Sequence, residues 1–473
     1  MAELVAALAI YITAVVAVSL YSRLYAKTKD PVDYFIASRG LSGFTSAMTY
    51  AATTYSAFMM VGLVGLSYAT GIGALAFELA YLVSTIAILT IFGTKVWELS
   101  RARGYVTPTQ LLRDRLGSHW ATAVAVALTA VALIPYSAVQ MVGPASIIAG
   151  MSRGSVDYRV AVTIAFAITL VTTLAAGVRS VAWSDAVQGL VMVSSATAFI
   201  VWLVLRTPPE ALPRLGDAEL LSPLNRFWTP YTFFAYTTPW IFFAITNPQV
   251  FQRLYLPRSR RDYVRMVVYF SLFGLVYTVI TVLAGLLARG LAELGALDLG
   301  VDLRDRSTWN RVTPSLLGYA HPALAVAVAV SILAAATSTI NSIVLTVASM
   351  VSYDTVVPER YRLVVGKAVV ILFSAVIYIF ALSTPAFVVD LAVASSTLLL
   401  PLLPIYLFSV YGLVSRCAYV STLAVGFPLA LALTYAKGLY LPIPKEVLAA
   451  TTSVATYVAV ALLGRAAAGR SNK

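Results

Sequence analysis

Charged residues are scarce in this chain, and cysteine and histidine are almost missing from it. Asp, Glu, Lys and Arg make up 11% of the 473 residues, whereas a soluble domain carries about 25%. The single Cys417 excludes a disulfide framework, and the two widely separated histidines, His119 and His321, give no metal cluster. The mean hydropathy of +0.86 and the 60% of apolar residues indicate a polytopic membrane protein.

Motifs of enzymes and of nucleic-acid-binding proteins are missing as well. No H-E-x-x-H, G-x-S-x-G or glycine-rich phosphate loop occurs. The net charge of +13 is divided among short loops and forms no continuous basic patch. We therefore expect a protein that is not an enzyme, does not bind nucleic acid and is surrounded by membrane lipid.

Apolar stretches long enough to cross the roughly 30 Å hydrocarbon layer recur along the whole chain, at about 20 residues for each crossing. The first stretch lacks the basic leading region of a signal peptide, so we interpret it as a retained helix. The pattern predicts thirteen spans, numbered here 1 to 13, at 3–24, 42–70, 72–96, 120–150, 157–176, 182–206, 229–252, 263–289, 322–352, 363–383, 386–414, 417–435 and 446–464.

Lysine and arginine are distributed unevenly among the loops that join these spans. Basic loops are retained in the cytoplasm. With the N-terminus outside, the cytoplasmic segments hold 22 of the 33 basic residues, at 23–39, 95–115, 179, 253–265, 360–367, 416 and 465–473. We therefore expect a plasma-membrane protein whose N-terminus is outside and whose C-terminus is cytoplasmic.

The loops between the spans are short, and no soluble domain is expected before or after the spans. One loop carries the sequence TPTQLLRDRLG at 107–117. Thr107 followed by Pro108 is typical of a helix start. The segment therefore predicts a short helix along the cytoplasmic interface.

Spans 2 and 7 are interrupted at mid-depth, span 2 by threonines such as Thr53 and Thr54 and span 7 by Pro239 and Pro248. Interrupted spans at corresponding positions of two halves are typical of inverted-repeat transporters, in which unwound backbone lines a site. The alternative is that membrane helices simply tolerate these residues. If the repeat is real, spans 2–6 and spans 7–11 form its two halves. The domain boundaries would then be 1–41, 42–206, 207–414 and 415–473.

The stretch AAATSTINS, 334–342, places five polar side chains at the centre of span 9. On a 3.6-residue period Ala335, Ser338, Thr339 and Ser342 fall on one helix face. Hydroxyl and carbonyl oxygens are hard ligands that suit Na⁺. The alternative is helix packing, in which a hydroxyl contributes about 0.6 kcal/mol on average. The pattern alone leaves both interpretations open.

Three carboxylates lie inside the predicted spans: Glu78 in span 3, Asp185 near the start of span 6 and Asp390 near the start of span 11. Ionisable residues at membrane depth are candidates for function. Asp185 and Asp390 lie close enough to span ends to be solvated or helix-capping groups instead. For Glu78 the alternative is a protonated carboxyl that is hydrogen-bonded inside the bundle.

Aromatic side chains in spans 2, 4 and 7 indicate a pocket for a small organic solute. The candidates are Phe58, Tyr136 and Trp240, with Gln140 one turn after Tyr136. The alternative is that these rings belong to helix packing or to an interfacial belt. The pocket requires that spans 2 and 7 meet at one site.

Five segments, in order and at matching spacing, carry a resemblance to a known family. The segments are DYFIASRGLSGF (33–44), YAATTYSAFMMVGLVGLSYATG (50–71), AAGVRSVAWSDAVQGLVM (175–192), NPQVFQRL (247–254) and ILAAATSTINS (332–342), the last followed by SYD (352–354). They resemble the sodium/solute symporter family, which includes proline, sugar, pantothenate and iodide carriers, from about residue 33 to 414. The resemblance implies an all-α fold with about 13 transmembrane helices around a 5+5 inverted-repeat (LeuT-like) core, and Na⁺ as coupling ion.

The resemblance also implies a sodium site between span 2 and span 9. Its ligands would be three backbone carbonyls and two hydroxyls. They belong to Ala52, Tyr55 and Ala335, and to Ser338 and Thr339, respectively. Asp185 would lie on the path by which the ion is released.

For the solute, the resemblance points to two branches of the family. Tyr136 and Trp240 match aromatic positions of bacterial proline carriers, Phe58 replaces a tryptophan of those carriers, and Thr54 replaces an aspartate. Glu78 falls where sugar carriers place a substrate-binding glutamate. The sequence therefore predicts an amino acid such as proline, a sugar or a monocarboxylate as solute.

The sequence thus predicts a sodium-coupled importer that moves one Na⁺ with each solute. A second hypothesis is a proton-coupled or uncoupled carrier with Glu78 or Asp185 as the proton site. A third is a transport-derived sensor or channel, which the expected absence of a signalling domain and of a charged pore ring disfavours. The oligomeric state is left open.

Overall fold

The computed structural model describes residues 9–14, 17, 21, 31–152, 155–175, 178–383, 386–436 and 441–471. Within these ranges the regular secondary structure is helical, apart from an isolated bridge between Leu41 and Pro257. The predicted all-α fold is confirmed. Most of span 1 lies outside the described residues.

Helices occupy the positions predicted for spans 2 to 13. The helices of spans 2 to 7 are Gly43–Thr54 with Phe58–Thr70, Gly73–Arg103, His119–Met151, Tyr158–Ala175, Val178–Arg206, and Pro230–Ile241 with Phe243–Thr246 and Pro248–Arg253. Those of spans 8 to 13 are Arg260–Glu293, Pro322–Asp354, Arg362–Ser383, Val388–Leu399 with Leu402–Val410, Arg416–Tyr435 and Lys445–Ser471. Shorter helices are Pro31–Ile36, Ala37–Arg39, Pro108–Leu116, Ala211–Asp217, Arg306–Arg311, Val312–Leu317 and Glu359–Tyr361.

By length and composition, eight of the described helices are able to cross a membrane, or ten spans if each of two bent pairs counts as one. The helix of span 5 is short, and span 7 is divided into three pieces. The number of thirteen is therefore not confirmed and stays a prediction, as do the four domain boundaries.

Spans 2 and 7 are interrupted, as predicted. The two halves of span 2 meet at an angle of 49°. In span 7, Asn247 has an extended backbone and Pro248 starts the last piece, because proline lacks the N–H that a continuing helix requires. Span 11 is also bent, by 53°, near Pro401, an interruption that the sequence analysis missed.

Span 9 lies at the centre of the bundle, where it packs against spans 2, 4, 5, 6 and 10. In its most apolar window 72% of the residues are buried, against 22% in span 13. A helix enclosed on several sides leaves a polar side chain no route to water. Each hydroxyl of AAATSTINS therefore needs a partner on a neighbouring helix or on its own backbone.

The helix predicted at 107–117 is present as Pro108–Leu116. The Thr107 side chain accepts from the Gln110 amide in a capping box, and Gly117 ends the helix with a left-handed backbone. Leu111 and Leu112 are buried against the bundle. The helix is therefore packed on one face rather than free on the surface.

Candidate functional site

The first half of span 2 ends at Thr54, and the carbonyls of its last turn are bonded by side chains from other helices. A helix leaves its last four carbonyls without an intrahelical partner. Thr339 Oγ1 of span 9 donates to the Ala52 carbonyl at 2.9 Å, and Tyr136 Oη of span 4 donates to the Thr54 carbonyl at 3.4 Å. The interruption of span 2 thus brings predicted ion and solute residues to one place.

Tyr55 follows the last helical residue and marks the turn in span 2. Its ring stacks on Phe270 and Phe273 of span 8, with centroids 5.7 and 5.8 Å away. Gly274 makes this approach possible, because a Cβ at that position would lie 2.2 Å from Tyr55 Oη. Ala335, the remaining predicted ion ligand, is buried in span 9 one turn before Thr339.

Asp185 joins the hydroxyl face of span 9 to span 2. Its carboxylate accepts from Thr49 Oγ1 at 2.5 Å and from Ser338 Oγ at 2.6 Å. The side chain is fully buried because span 6 begins at Val178, so Asp185 lies about two turns inside the helix. The alternative of a solvated or capping Asp185 is therefore wrong.

Ser342, one turn after Ser338, connects three spans. Its Oγ lies 2.9 Å from Thr53 Oγ1 of span 2 and accepts from Arg253 Nη2 of span 7 at 2.5 Å. Arg253 is fully buried. Counting Arg253 among the basic residues of a cytoplasmic loop is therefore wrong.

The two polar residues of AAATSTINS that lie off this face contact other helices. Thr337 Oγ1 lies 2.6 Å from Tyr11 Oη, and Gln188 Nε2 donates to Tyr11 Oη at 2.7 Å. Asn341 Oδ1 accepts from Thr173 of span 5. Both side chains therefore bond residues of other helices, as the helical period predicts for positions off the hydroxyl face.

The face that remains brings four oxygen groups together: the hydroxyls of Ser338 and Thr339, and the Asp185 carboxylate and Ala52 carbonyl to which they donate. Such a set suits Na⁺, and carbonyls from an unwound segment are a recurrent source of its ligands in transporters. Among the described residues, no group of three His, Cys, Asp or Glu side chains is placed to hold a metal ion.

The aromatic candidates meet on the other side of the break in span 2. Trp240 has its ring centroid 5.1 Å from that of Phe58 and 6.5 Å from that of Tyr136. Two rings of span 3, Phe77 and Tyr81, also contact Trp240, at 6.2 and 5.6 Å. The sequence analysis missed both, although they flank Glu78.

The polar candidates of this cluster have different surroundings. Gln140 Oε1 accepts from the Ala57 amide at 3.3 Å and so bonds the backbone within the break. Thr54 Oγ1 donates to the Tyr50 carbonyl of its own helix at 2.7 Å. Glu78 is buried, and its Oε2, like Trp240 Nε1, has no hydrogen-bond partner in the part of the chain that the structure describes.

The third predicted carboxylate, Asp390, belongs to the rim above the aromatic cluster. Arg306 Nη2 lies 2.6 Å from Asp390 Oδ1, and Tyr236, one turn before Trp240, also contacts Arg306. Asp305 caps the turn that carries Arg306, and hydrogen bonds from Ser307 hold the pKa of Asp305 below its usual value. Asp390 is partly exposed, as expected for a carboxylate near a span end.

Comparison with known proteins agrees with this geometry. The chain is 27% identical over 248 residues to the sodium/pantothenate symporter of Escherichia coli (strain K12), covering 49% of the chain and 51% of that relative. It is 24% identical over 193 residues to an osmoregulated proline transporter of Bacillus subtilis (strain 168), covering 40% and 38%. The match to the pantothenate relative thus spans about half of its length, and the match to the proline relative spans less.

Two solved structures share the fold. A Na⁺-coupled sialic acid symporter in a substrate-bound outward-open state superposes with a TM-score of 0.81 at 17% identity, covering 98% of both chains. Mhp1, a nucleobase-cation-symport-1 family transporter, gives 0.61 at 16% identity, covering 93% of this chain and 96% of its own. These likenesses confirm the transporter fold.

The description of the matching family agrees with the resemblance that the motifs carry. The model of the sodium:solute symporter family matches residues 34–422. The family and the relatives named above are transporters rather than enzymes, as predicted. The chain is a multi-pass membrane protein that belongs to the sodium:solute symporter family.

Proposed function

We propose that this protein is a sodium-coupled symporter that moves a small organic solute into the cell by alternating access. The observation that carries the proposal is the contact between Thr339 and the Ala52 carbonyl at the break in span 2. It places the unwound end of one helix against the hydroxyl face of another. Such an arrangement of backbone and side-chain oxygens supports a sodium site in transporters with interrupted helices.

In the proposed site, Na⁺ binds the carbonyls of Ala52, Tyr55 and Ala335 and the hydroxyls of Ser338 and Thr339. The ion would hold spans 2 and 9 together and thereby fix the break in span 2. That break also carries the backbone to which Tyr136 and Gln140 are bonded. Sodium binding would therefore order one wall of the solute pocket.

The sodium gradient supplies enough free energy for accumulation. One positive charge that moves down ~100 mV gains about 2.3 kcal/mol. A tenfold concentration gradient adds about 1.4 kcal/mol. The sum of about 3.7 kcal/mol supports several-hundred-fold accumulation with one Na⁺ for each solute.

The solute pocket lies around Trp240, Phe58 and Tyr136 in this proposal. Its rings offer apolar surface, while Glu78 Oε2 and Trp240 Nε1 offer one acceptor and one donor. The relatives carry pantothenate, proline and sialic acid, each of which combines a carboxylate with a small carbon skeleton. We propose a solute of that size, such as an amino acid, a sugar or a monocarboxylate.

The test is uptake into proteoliposomes with an imposed Na⁺ gradient, using labelled amino acids, sugars and monocarboxylates. We expect uptake of one solute class to depend on Na⁺. The double variant Ser338→Ala with Thr339→Ala should raise the Na⁺ concentration for half-maximal uptake by at least about tenfold, since each hydroxyl–charge contact is worth about 1.5–3 kcal/mol.

Ser352→Ala is the matched control for that variant. Ser352 is a buried hydroxyl on the same helix, but within the described part of the chain it bonds only back to the Ala348 carbonyl. Its loss should leave the sodium dependence unchanged. Uptake that ignores Na⁺ and is insensitive to the double variant would contradict the proposal.

A second candidate is proton coupling, which the two buried carboxyls favour. Asp185 and Glu78 are both enclosed within the bundle. In that case a proton gradient alone should drive uptake, and Asp185→Asn or Glu78→Gln should abolish the response. The same proteoliposomes with a pH gradient in Na⁺-free buffer distinguish the two candidates.

A further inference from the structure

Arg253 is the one lysine or arginine that is fully buried among the residues that the structure describes. It ends the last helix of span 7, and its Nη2 donates to Ser342 Oγ at 2.5 Å. Its Nε and Nη1 find no hydrogen-bond partner within the described ranges. Burying a guanidinium is costly unless an opposite charge compensates it.

Asp185 is the buried carboxylate that the hydroxyl face of span 9 joins to Arg253. Ser338 of span 9 donates to Asp185, and Ser342, one helical turn later, accepts from Arg253. Four residues rise about 6 Å along a helix, so the two serines that bond the carboxylate and the guanidinium lie about 6 Å apart along span 9.

We propose that Arg253 is a built-in countercharge that keeps the ion site electrically neutral until Na⁺ binds. This inference rests on the proposed sodium-coupled function. Asp185 and Arg253 together carry no net charge, so one bound Na⁺ makes the site singly positive. The loaded carrier then moves one charge across the membrane, and the return of the empty carrier moves none.

The countercharge also sets how tightly the ion is held. Asp185 attracts Na⁺, whereas Arg253 repels it, and the balance keeps the ion exchangeable at the inner side. Without Arg253 the carboxylate would act alone, and Na⁺ would leave slowly. Arg253 is thus a positioning residue for the transport cycle, and it acts on the ion through charge rather than by contact.

A purely structural role for Arg253 predicts a different outcome. In that case its bond to Ser342 would only tie span 7 to span 9, and the charge would be irrelevant. Ser342→Ala removes the bond and keeps the charge, whereas Arg253→Gln removes the charge. The two variants therefore separate the roles.

The experiment measures the Na⁺ concentration for half-maximal solute uptake in proteoliposomes at several imposed potentials. For two unit charges separated by about one helical turn, at an effective dielectric constant near 20, loss of one charge should change this concentration by about tenfold or more. We expect Arg253→Gln to lower it and Asp185→Asn to raise it. The double variant restores neutrality and should return within about threefold of the parent.

Exchange and net uptake give a second readout. Solute exchange with Na⁺ on both sides needs no return of the empty carrier, whereas net uptake does. Arg253→Gln should therefore slow net uptake at least about fivefold more than exchange, and the empty return step should become dependent on the potential. Arg253→Lys keeps the charge and should behave like the parent in this ratio.

Arg260→Gln is the control for charge removal as such, because Arg260 is exposed at the start of span 8. It should leave the sodium dependence unchanged. The inference is overturned if Arg253→Gln weakens sodium dependence, or if the double variant is no closer to the parent than the single variants. If Arg253→Gln alone does not fold, Asp185→Asn with and without Arg253→Gln decides, because these two proteins differ only in the charge of Arg253.

The two proposals fail in different ways. A parent protein that takes up solute without Na⁺ overturns the proposed function. A parent that is driven by Na⁺, with Arg253→Gln unchanged in its half-maximal Na⁺ concentration and in its voltage dependence, overturns the countercharge alone.

Discussion

The two sides of the break in span 2 are built from different chemistry. Toward span 9, hydroxyls and Asp185 are hydrogen-bonded to one another and to the freed backbone, as in the pair Thr339 and Ala52. Toward span 7, aromatic rings surround Trp240, and its Nε1 has no hydrogen-bond acceptor among the residues described. The Ser338 and Thr339 hydroxyls on the ion side are thus paired within the protein, whereas Trp240 Nε1 on the solute side is not.

In the proposed function, this difference explains how the two ligands would be recognised. On the ion side the hydroxyls are already oriented by hydrogen bonds, so that Na⁺ would exchange one set of oxygen contacts for another. On the solute side an unpaired buried donor or acceptor costs about 1–3 kcal/mol, which a matching solute group would recover. We therefore propose that the unpaired groups of Glu78 and Trp240 select the solute and that the hydroxyl face selects the ion.

The largest expected effect comes from Trp240→Ala, which removes the centre of the solute side. Loss of a buried tryptophan costs about 3–5 kcal/mol of stability. We expect the solute concentration for half-maximal uptake to rise at least about a hundredfold. The Na⁺ concentration for half-maximal uptake should change by less than about threefold. Thermal unfolding in detergent and uptake kinetics measure the two effects.

Trp240→Phe is the matched control, since it keeps a ring that contacts Phe58. It should fall between the parent and the alanine variant in both measurements. If Trp240→Ala instead raises the half-maximal concentrations of Na⁺ and of solute by the same factor, the ion side and the solute side form one site. In that case the division of the break into two sides is wrong.

A smaller effect is expected from Gly274→Ala, which disturbs the ion side without changing a ligand. The added Cβ would lie 2.2 Å from Tyr55 Oη, so the ring at the turn of span 2 must move. Overpacking of this kind costs about 1–3 kcal/mol. We expect a lower unfolding temperature and a weaker sodium dependence, with the solute preference retained.

The control for that substitution is Gly216→Ala, because a Cβ there meets nothing within 4 Å. It should be neutral or slightly stabilising in its helix. A Gly274→Ala protein that unfolds and transports like the Gly216→Ala protein would show that Tyr55 does not shape the ion side.

Thr53→Ala should have a smaller effect again. It removes one hydroxyl from the contact with Ser342, which keeps its bond to Arg253. A buried hydrogen bond contributes about 1 kcal/mol, so the free energy of unfolding should fall by about that amount. The Na⁺ concentration for half-maximal uptake should rise by about fivefold at most. Thr90→Ala is the control, because Thr90 is exposed and bonds its own helix. An effect of Thr53→Ala above tenfold would place Thr53 among the ion ligands.

The fold and the hydroxyl face were predictable because they depend on short-range regularities. Apolar runs of membrane length mark the spans, and the helical period separates Ser338 and Thr339 from Thr337 and Asn341. The interruptions of spans 2 and 7 follow from local residues as well, since Pro248 ends a helix wherever it stands.

The partners of that face were harder to predict, because they depend on how helices meet. Span 6 starts four residues earlier than predicted, which moves Asp185 from an expected end into the interior. Arg253 lies at the end of an apolar run, where sequence does not distinguish a loop from a buried helix end. Phe77 and Tyr81 are ordinary aromatic residues of a membrane helix until Trp240 packs against them.

The smallest expected effect comes from Arg306→Gln at the rim of the solute side. The ion pair with Asp390 is 2.6 Å long, but about 40% of each side chain is exposed, at 38% and 41%. Exposed pairs contribute about 0–1 kcal/mol, so we expect the solute concentration for half-maximal uptake to change by less than about fivefold. The difference from the parent should shrink between about 0.05 and 1 M of an inert potassium salt, because salt screens exposed charges.

Asp390→Asn should give the same shift as Arg306→Gln, and the double variant should add little, because each single change already breaks the same contact. Loss of uptake in Arg306→Gln at all salt concentrations would make the rim part of the solute site. The solute would then be bound by the charged Arg306 as well as by the unpaired groups of Glu78 and Trp240.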